Sequence, residues 1–190
     1  MIEQLSKRIA DNLVKNGADA SQREVYAYSM ECIFNYLLSD LLLYSIGFLI
    51  HQLPAIFVWS ISYSLLRVHI GGYHASTHAR CIISGTIVGL LSLPLNQLWT
   101  AFPLSILLLL VILVGNIILF TPVVHERHPV SAQGKKKAKI YAALVTSLGF
   151  VLFVVLRHAN IALCNSILSG FACALALALL AIIQKLFKHS

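Results

Sequence analysis

Six apolar runs, at about residues 33–50, 53–68, 82–99, 102–120, 140–156 and 161–183, fill most of this chain. A helix needs about 20 apolar residues to cross a bilayer, within a range of about 17–25. Hydrocarbon offers the backbone no water, so a run that crosses must satisfy its own amides and carbonyls as a helix. The pattern predicts an all-α polytopic membrane helix bundle of about six transmembrane helices. Runs four and six are clear spans. The others are short or carry polar residues, and the second could be re-entrant. Composition agrees: 58% of the 190 residues are hydrophobic and 11% charged, against about 45–50% and about 25% in a soluble domain. No internal repeat or low-complexity tract divides the chain, so residues 1–190 read as one membrane domain.

Residues 1–30 form an amphipathic N-terminal segment. Ile2, Leu5, Ile9 and Leu13 recur at helical spacing, with Glu3, Lys7, Arg8, Asp11 and Lys15 between them, and Asn16-Gly17 ends the pattern. Such a helix either lies on a membrane surface or packs beneath the bundle. The chain does not open with a basic stretch followed by an apolar core, so no cleaved signal is expected. Cys32, Cys81, Cys164 and Cys173 are irregularly spaced, and no disulfide framework is expected; three of them sit in or beside apolar runs, where cysteine behaves as a small hydrophobe.

The charges orient the bundle. The net charge of +7 would suggest nucleic acid in a soluble protein. In a membrane protein it reflects basic residues gathered in cytoplasmic loops, and no nucleic-acid partner is expected. Lys7, Arg8, Lys15 and Arg23 precede run one, and Arg67 and Arg80 border the loop after run two. Arg127, Lys135, Lys136, Lys137 and Lys139 follow run four, and Lys185 and Lys188 lie in the tail. The other loops hold only Arg157. Six spans with both termini cytoplasmic place every basic cluster but Arg157 on one side of a cell membrane. The basic loop, 121–139, also suits anionic lipids, at about 1 kcal/mol per basic residue near the surface.

Residues 67–81, Arg67-Val68-His69-Ile70-Gly71-Gly72-Tyr73-His74-Ala75-Ser76-Thr77-His78-Ala79-Arg80-Cys81, interrupt the apolar pattern with a polar island. Ser76 or Thr77 can cap the helix of run three, which places Cys81 in its first turns. The positive end of a helix favours a thiolate, and Arg80, His78 and His74 act in the same direction. Of the four cysteines, only Cys81 has the surroundings of a nucleophile. Its base is His74 or His78. His78 lies three residues before it, on one helical face. His74 lies seven before, about 10.5 Å along a continuous helix, and reaches the sulfur only if the chain turns after Gly71-Gly72, whose backbone freedom permits it. Spacing alone favours His78, but the turn the glycines permit leaves the choice open.

The string Arg67-x3-Gly71-Gly72-Tyr73-His74-x6-Cys81 resembles the signature of the accessory gene regulator B (AgrB) family. The resemblance extends over nearly the whole chain: its length, amphipathic start, hydrophobic bundle, and a proline-bearing basic loop from Thr121-Pro122 through Pro129 to Lys135-Lys136-Lys137. These are multi-pass membrane cysteine endopeptidases of Gram-positive bacteria that process the AgrD propeptide of quorum sensing. The resemblance implies that His74 and Cys81 are the catalytic pair. It also implies that a thioester to Cys81 forms as the propeptide loses its C-terminal tail. An internal cysteine or serine then closes a thiolactone or lactone autoinducing peptide. Lys135, Lys136, Lys137 and Lys139 would dock the acidic end of an AgrD-like propeptide, anionic lipids, or both. A homodimer is a further family trait. No cofactor is implied.

Around that pair, Arg67 is a candidate for holding a substrate carboxylate or the oxyanion, or else a topology-setting arginine. Gly71 and Gly72 shape the turn or offer N–H groups to the oxyanion. Tyr73 suits an interfacial anchor. Auxiliary candidates are His78, Glu31 and Asp40; Glu31 and Asp40 are the acids at or inside the membrane edge, and Asp40 suits a structural acceptor. His125 and His128 suit a solvated loop. Two rival readings stand beside this one. His69, His74, His78 and Cys81 could hold zinc for a metal-dependent hydrolase, although the glutamate of an H-E-x-x-H site is missing. A small transporter could use the polar island as a gate, but no broken helix recurs in two halves.

Overall fold

The structure is a computed structural model that describes residues 1–72, 77–101, 107, 111, 115 and 130–188. Tyr73, His74 and Ser76, most of run four, and His125 and His128 lie outside the described residues, and with them the expectations placed on those positions. All regular structure among the described residues is helical. In chain order it comprises α1 (Ile2–Lys15), a 3-10 turn (Ala20–Gln22), α2 (Arg23–Leu49), α3 (Leu53–Ile70), α4 (His78–Ala101), α5 (Ala132–Leu156) and α6 (Ile161–Lys188). Among the described residues, five helices are long and apolar enough to cross a membrane.

The apolar runs are the inner parts of longer helices. Helix α2 begins at Arg23, inside the N-terminal segment 1–30. Run two is one continuous helix of 18 residues rather than a re-entrant pair. The basic stretch is helical from Ala132, with Ser131 as its cap; Ser131 Oγ accepts from the Gly134 amide at 3.1 Å. Lys135, Lys136, Lys137 and Lys139 therefore stand on the opening turns of α5 rather than in a loop. Alanine, glutamine and lysine favour helix, and that local preference carries the helix past the point where apolar residues stop.

Helix α1 packs against α2 through small residues: Ser6, Ala10 and Ala27 are fully buried. Arg23 Nε reaches Asp11 Oδ1 at 2.6 Å, which fastens the two helices. The outer face of α1 keeps Leu5 and Leu13 exposed, so packing does not use up its apolar stripe.

Helix α3 is the centre of the bundle. Ile56, Trp59, Tyr63, Leu66 and Ile70 are buried, while Phe57, Ile61, Leu65 and Val68 form an exposed outer stripe suited to lipid. Its partner α6 buries Cys164, Ile167, Leu168, Phe171, Ala174 and Ala178 at helical spacing. Lipid tails are as apolar as leucine, so helices here associate by close packing and hydrogen bonds rather than by escaping water. Gly170 shows the first: a Cβ there would come within 2.8 Å of the Trp59 carbonyl oxygen. The second joins α4 to α6, where the Asn96 amide bonds Ser166 and Ser169, Trp99 Nε1 donates to Ser169 Oγ at 2.9 Å, and Asn165 Nδ2 donates to Thr100 Oγ1 at 2.8 Å.

Helices α2 and α4 run in the same direction. Ser39 Oγ donates to the Ile82 carbonyl at 3.3 Å, and further along Leu43 fills the space that a Gly89 side chain would take. The ends of α3 and α6 and the beginnings of α2, α4 and α5 consequently meet at one end of the bundle.

Candidate active site

Cys81 lies in the first turn of α4. Its amide donates to the Thr77 carbonyl at 3.0 Å, and Thr77 Oγ1 accepts from the Arg80 amide at 3.3 Å. Thr77 thus acts as the cap that the sequence allowed. The half-buried Cys81 faces a cavity of about 240 Å³ enclosed by four helices. Its walls are Cys32, Asn35, Tyr36 and Asp40 from α2; Trp59, Tyr63 and Arg67 from α3; Ser84, Gly85 and Val88 from α4; and Leu177 and Leu180 from α6.

Arg67 and the two glycines form one unit. Gly71 ends α3 with φ +73°, a left-handed conformation that a side chain disfavours, and its amide donates to the Arg67 carbonyl at 2.9 Å. At Gly72 a Cβ would collide with Arg67 Nη1. The guanidinium carbon lies 5.5 Å from the Tyr63 ring centre, within cation–π range. Tyr63 in turn stacks on Trp59, with centroids 4.8 Å apart and planes 12° apart. Spacing of four residues aligns Trp59, Tyr63 and Arg67 on one face of α3, and Gly72 closes over the end of that column. The glycines therefore act here by shape, making the turn and leaving room for the guanidinium.

The other predicted residues are dispersed. His78 opens α4 with Nδ1 3.0 Å from Asn35 Oδ1. His69 stacks on Tyr141 of α5, with ring centres 5.3 Å apart. Asp40 lines the cavity and accepts from Ser60 Oγ of α3 at 2.9 Å. Glu31 is buried but is not part of the cavity wall. The proposed zinc set is not assembled among the described residues: His69 turns to α5 while His78 turns to α2, and no cluster of three metal-binding side chains occurs there. Lys136 and Lys137 are exposed. The His69–Tyr141 stack holds α5 against the end of α3, which places the lysine turns at the same end of the bundle as Cys81.

Asn35, Cys32, Trp59 and Tyr63 were not anticipated as site residues. A signal existed for two of them. Cys32, Asn35 and Ser39 recur at three- and four-residue spacing, with Asp40 beside Ser39, a polar stripe along an otherwise apolar helix.

These features define a class: a helical, multi-pass membrane protein with a thiol and a guanidinium facing one buried cavity near the end of its bundle. The chain belongs to the Accessory gene regulator B family, AgrB, whose family model matches residues 6–184. That family is linked to autoinducer propeptide processing in quorum sensing, through the AgrD propeptide. No curated protein and no solved structure matched the chain.

Proposed function

We propose that this protein is a cysteine endopeptidase that removes the C-terminal part of an AgrD-like propeptide and hands the remainder on as a cyclic autoinducing peptide. The observation that carries this reading is the shared cavity of Cys81 and Arg67. A thiol at a helix N-terminus and a fixed cation face one space, in a segment whose spacing matches the family signature.

The chemistry proceeds in two acyl transfers. His74 takes the Cys81 proton. The thiolate attacks the scissile carbonyl, forming the C–S bond, and Arg67 steadies the oxyanion. The C–N bond breaks, and the imidazolium returns its proton to the departing amine as the tail leaves. A thiol or hydroxyl within the bound peptide then gives its proton to the imidazole and attacks the thioester. The new ring bond forms, the C–S bond to Cys81 breaks, and Cys81 recovers the proton. When a thiol attacks, one thioester replaces another, so the step is nearly balanced in energy. Low water content at the membrane edge favours closure over hydrolysis.

The lysines of α5 support docking. Lys135, the fourth residue of the helix, opposes its dipole by about 0.3–1 kcal/mol, and Lys136, Lys137 and Lys139 add like charge beside it. A partner with negative charge, the acidic end of the propeptide or anionic lipid, offsets that penalty. We place both termini and this end of the bundle in the cytoplasm of a Gram-positive cell, and treat the working unit as a homodimer.

The test is mass spectrometry of a candidate propeptide incubated with the protein in liposomes, beside Cys81→Ala. Tail loss and an acyl adduct on Cys81 in the wild type alone are expected. Tail loss that persists in Cys81→Ala would overturn the reading.

A further inference from the structure

The cavity beside Cys81 extends well beyond what the thiol and guanidinium need. From Cys81 to Val88 it follows α4 for seven residues, about 10 Å of helix. Its far wall is apolar and fixed: Leu43 and Trp59 are almost fully buried. Its volume of about 240 Å³ is below the roughly 300–1,000 Å³ of small-molecule pockets. A space of that size suits a side chain rather than a folded segment.

We infer that this cavity is a specificity pocket. It receives the side chain of the substrate residue whose carbonyl Cys81 attacks, and Val88 sets the size accepted. The inference rests on the peptidase reading above. The carbonyl under attack sits at the sulfur, and the side chain of the same residue branches one bond away. A hollow that includes Cys81 in its own wall is therefore the space that side chain enters. The chemistry selected is apolar. Trp59, Leu43, Val88, Leu177 and Leu180 supply most of the surface, beside the polar Asn35, Ser39 and Ser84, and the one acid, Asp40, accepts a hydrogen bond from Ser60. Arg67 and Asp40 offset one another in charge, so a cationic side chain entering the hollow loses its hydration with no net attraction to replace it.

The experiment uses the full-length protein in liposomes and four acetyl-aminoacyl chloromethyl ketones, built on alanine, leucine, phenylalanine and lysine. In each, the Cys81 sulfur displaces chloride; the C–S bond forms and the C–Cl bond breaks. Peptide mapping reads the rate at Cys81 separately from Cys32. The leucine and phenylalanine reagents are expected to react at least about tenfold faster than the alanine and lysine ones, the scale on which an apolar pocket discriminates. Val88→Trp should abolish the advantage of phenylalanine over alanine. Val88→Ala should extend the advantage to a naphthylalanine reagent, and it serves if the tryptophan variant does not assemble. Equal rates for all four reagents in the wild type overturn the inference. So does a ranking that neither variant alters. Selective alkylation without propeptide acylation would sink the peptidase reading and leave the pocket standing; acylation without selectivity would do the reverse.

Discussion

His78 Nδ1 lies 3.0 Å from Asn35 Oδ1, joining the first residue of α4 to the middle of α2. This hydrogen bond ties the first turn of α4 to α2. Cys81 lies one turn further along α4. A net hydrogen bond is worth about 1 kcal/mol, so Asn35→Leu is expected to slow tail release about fivefold by loosening the first turn of α4. Asn35→Asp, which keeps the acceptor, should retain most of the rate. Single-turnover release from a propeptide measures both.

Gly72→Ala drives a Cβ into the Arg67 guanidinium. The arginine must swing away, and processing should fall as far as it does in Arg67→Ala, with helix content unchanged by circular dichroism. Gly71→Ala meets a different obstacle. At φ +73° an alanine is strained by about 1–2 kcal/mol, so this variant should lose stability as well as activity.

Replacing Lys135, Lys136 and Lys137 with glutamine should act on substrate capture. Near a charged surface each lysine is worth about 1 kcal/mol at most, or about fivefold in apparent KM at low salt. The effect should vanish in high salt, where exposed charges are screened. A kcat that stays constant while KM rises is the expected signature in a steady-state assay. A fall in kcat alone would place these lysines in the chemistry instead.

The α1–α2 fastening should respond to acid. The Arg23 hydrogen bond and charge hold the Asp11 carboxyl below its usual range. A group with a lowered folded pKa stabilises the folded state above its unfolded value, about 3.9, and that contribution disappears as pH falls through the folded value. The opening free energy of α1, from hydrogen exchange corrected for the intrinsic chemical rate at each pH, should therefore be level from pH 7 to about pH 5 and fall below about pH 4. Asp11→Asn should abolish the pH dependence.

The Asn96 cluster predicts a stability effect separate from activity. Hydrogen bonds between membrane helices are worth about 0.6 kcal/mol on average and up to about 1.7. Asn96→Leu, which removes partners of Ser166 and Ser169, should lower unfolding free energy in detergent by about 1–2 kcal/mol. The rate of Cys81 alkylation should be unchanged.

The helical class and the positions of the apolar helices were legible because period and length report on the backbone's need for internal hydrogen bonds. The start of α2 at Arg23 and of α5 at Ala132 was not. Those turns are polar, and hydropathy marks where a helix meets lipid, not where it begins. Within the site, Arg67, Gly71, Gly72 and Cys81 stood out as polar or flexible residues among apolar ones. Trp59 and Tyr63 did not, since an aromatic on a membrane helix has many uses, and only the column ending in Arg67 gives them one. The four-residue zinc set looked plausible in one dimension. Among the described residues its members are not brought together: His69 and His78 flank the turn and face different neighbours, α5 and α2.

The hydrogen bonds between α4 and α6 lie at the opposite end of those helices from Cys81. From Cys81 to Asn96 is fifteen residues, about 22 Å. The two helices are pinned about 22 Å from the thiol, so this part of their adhesion does not depend on packing around it. Val88, Leu177 and Leu180, which line the hollow outside the fully buried core, can therefore be exchanged at less risk to assembly than Leu43, Trp59 and Tyr63. A lineage with this architecture can follow a drifting peptide signal by changing a few lining residues, and strain-to-strain divergence should concentrate there while the Asn96 clasp stays constant.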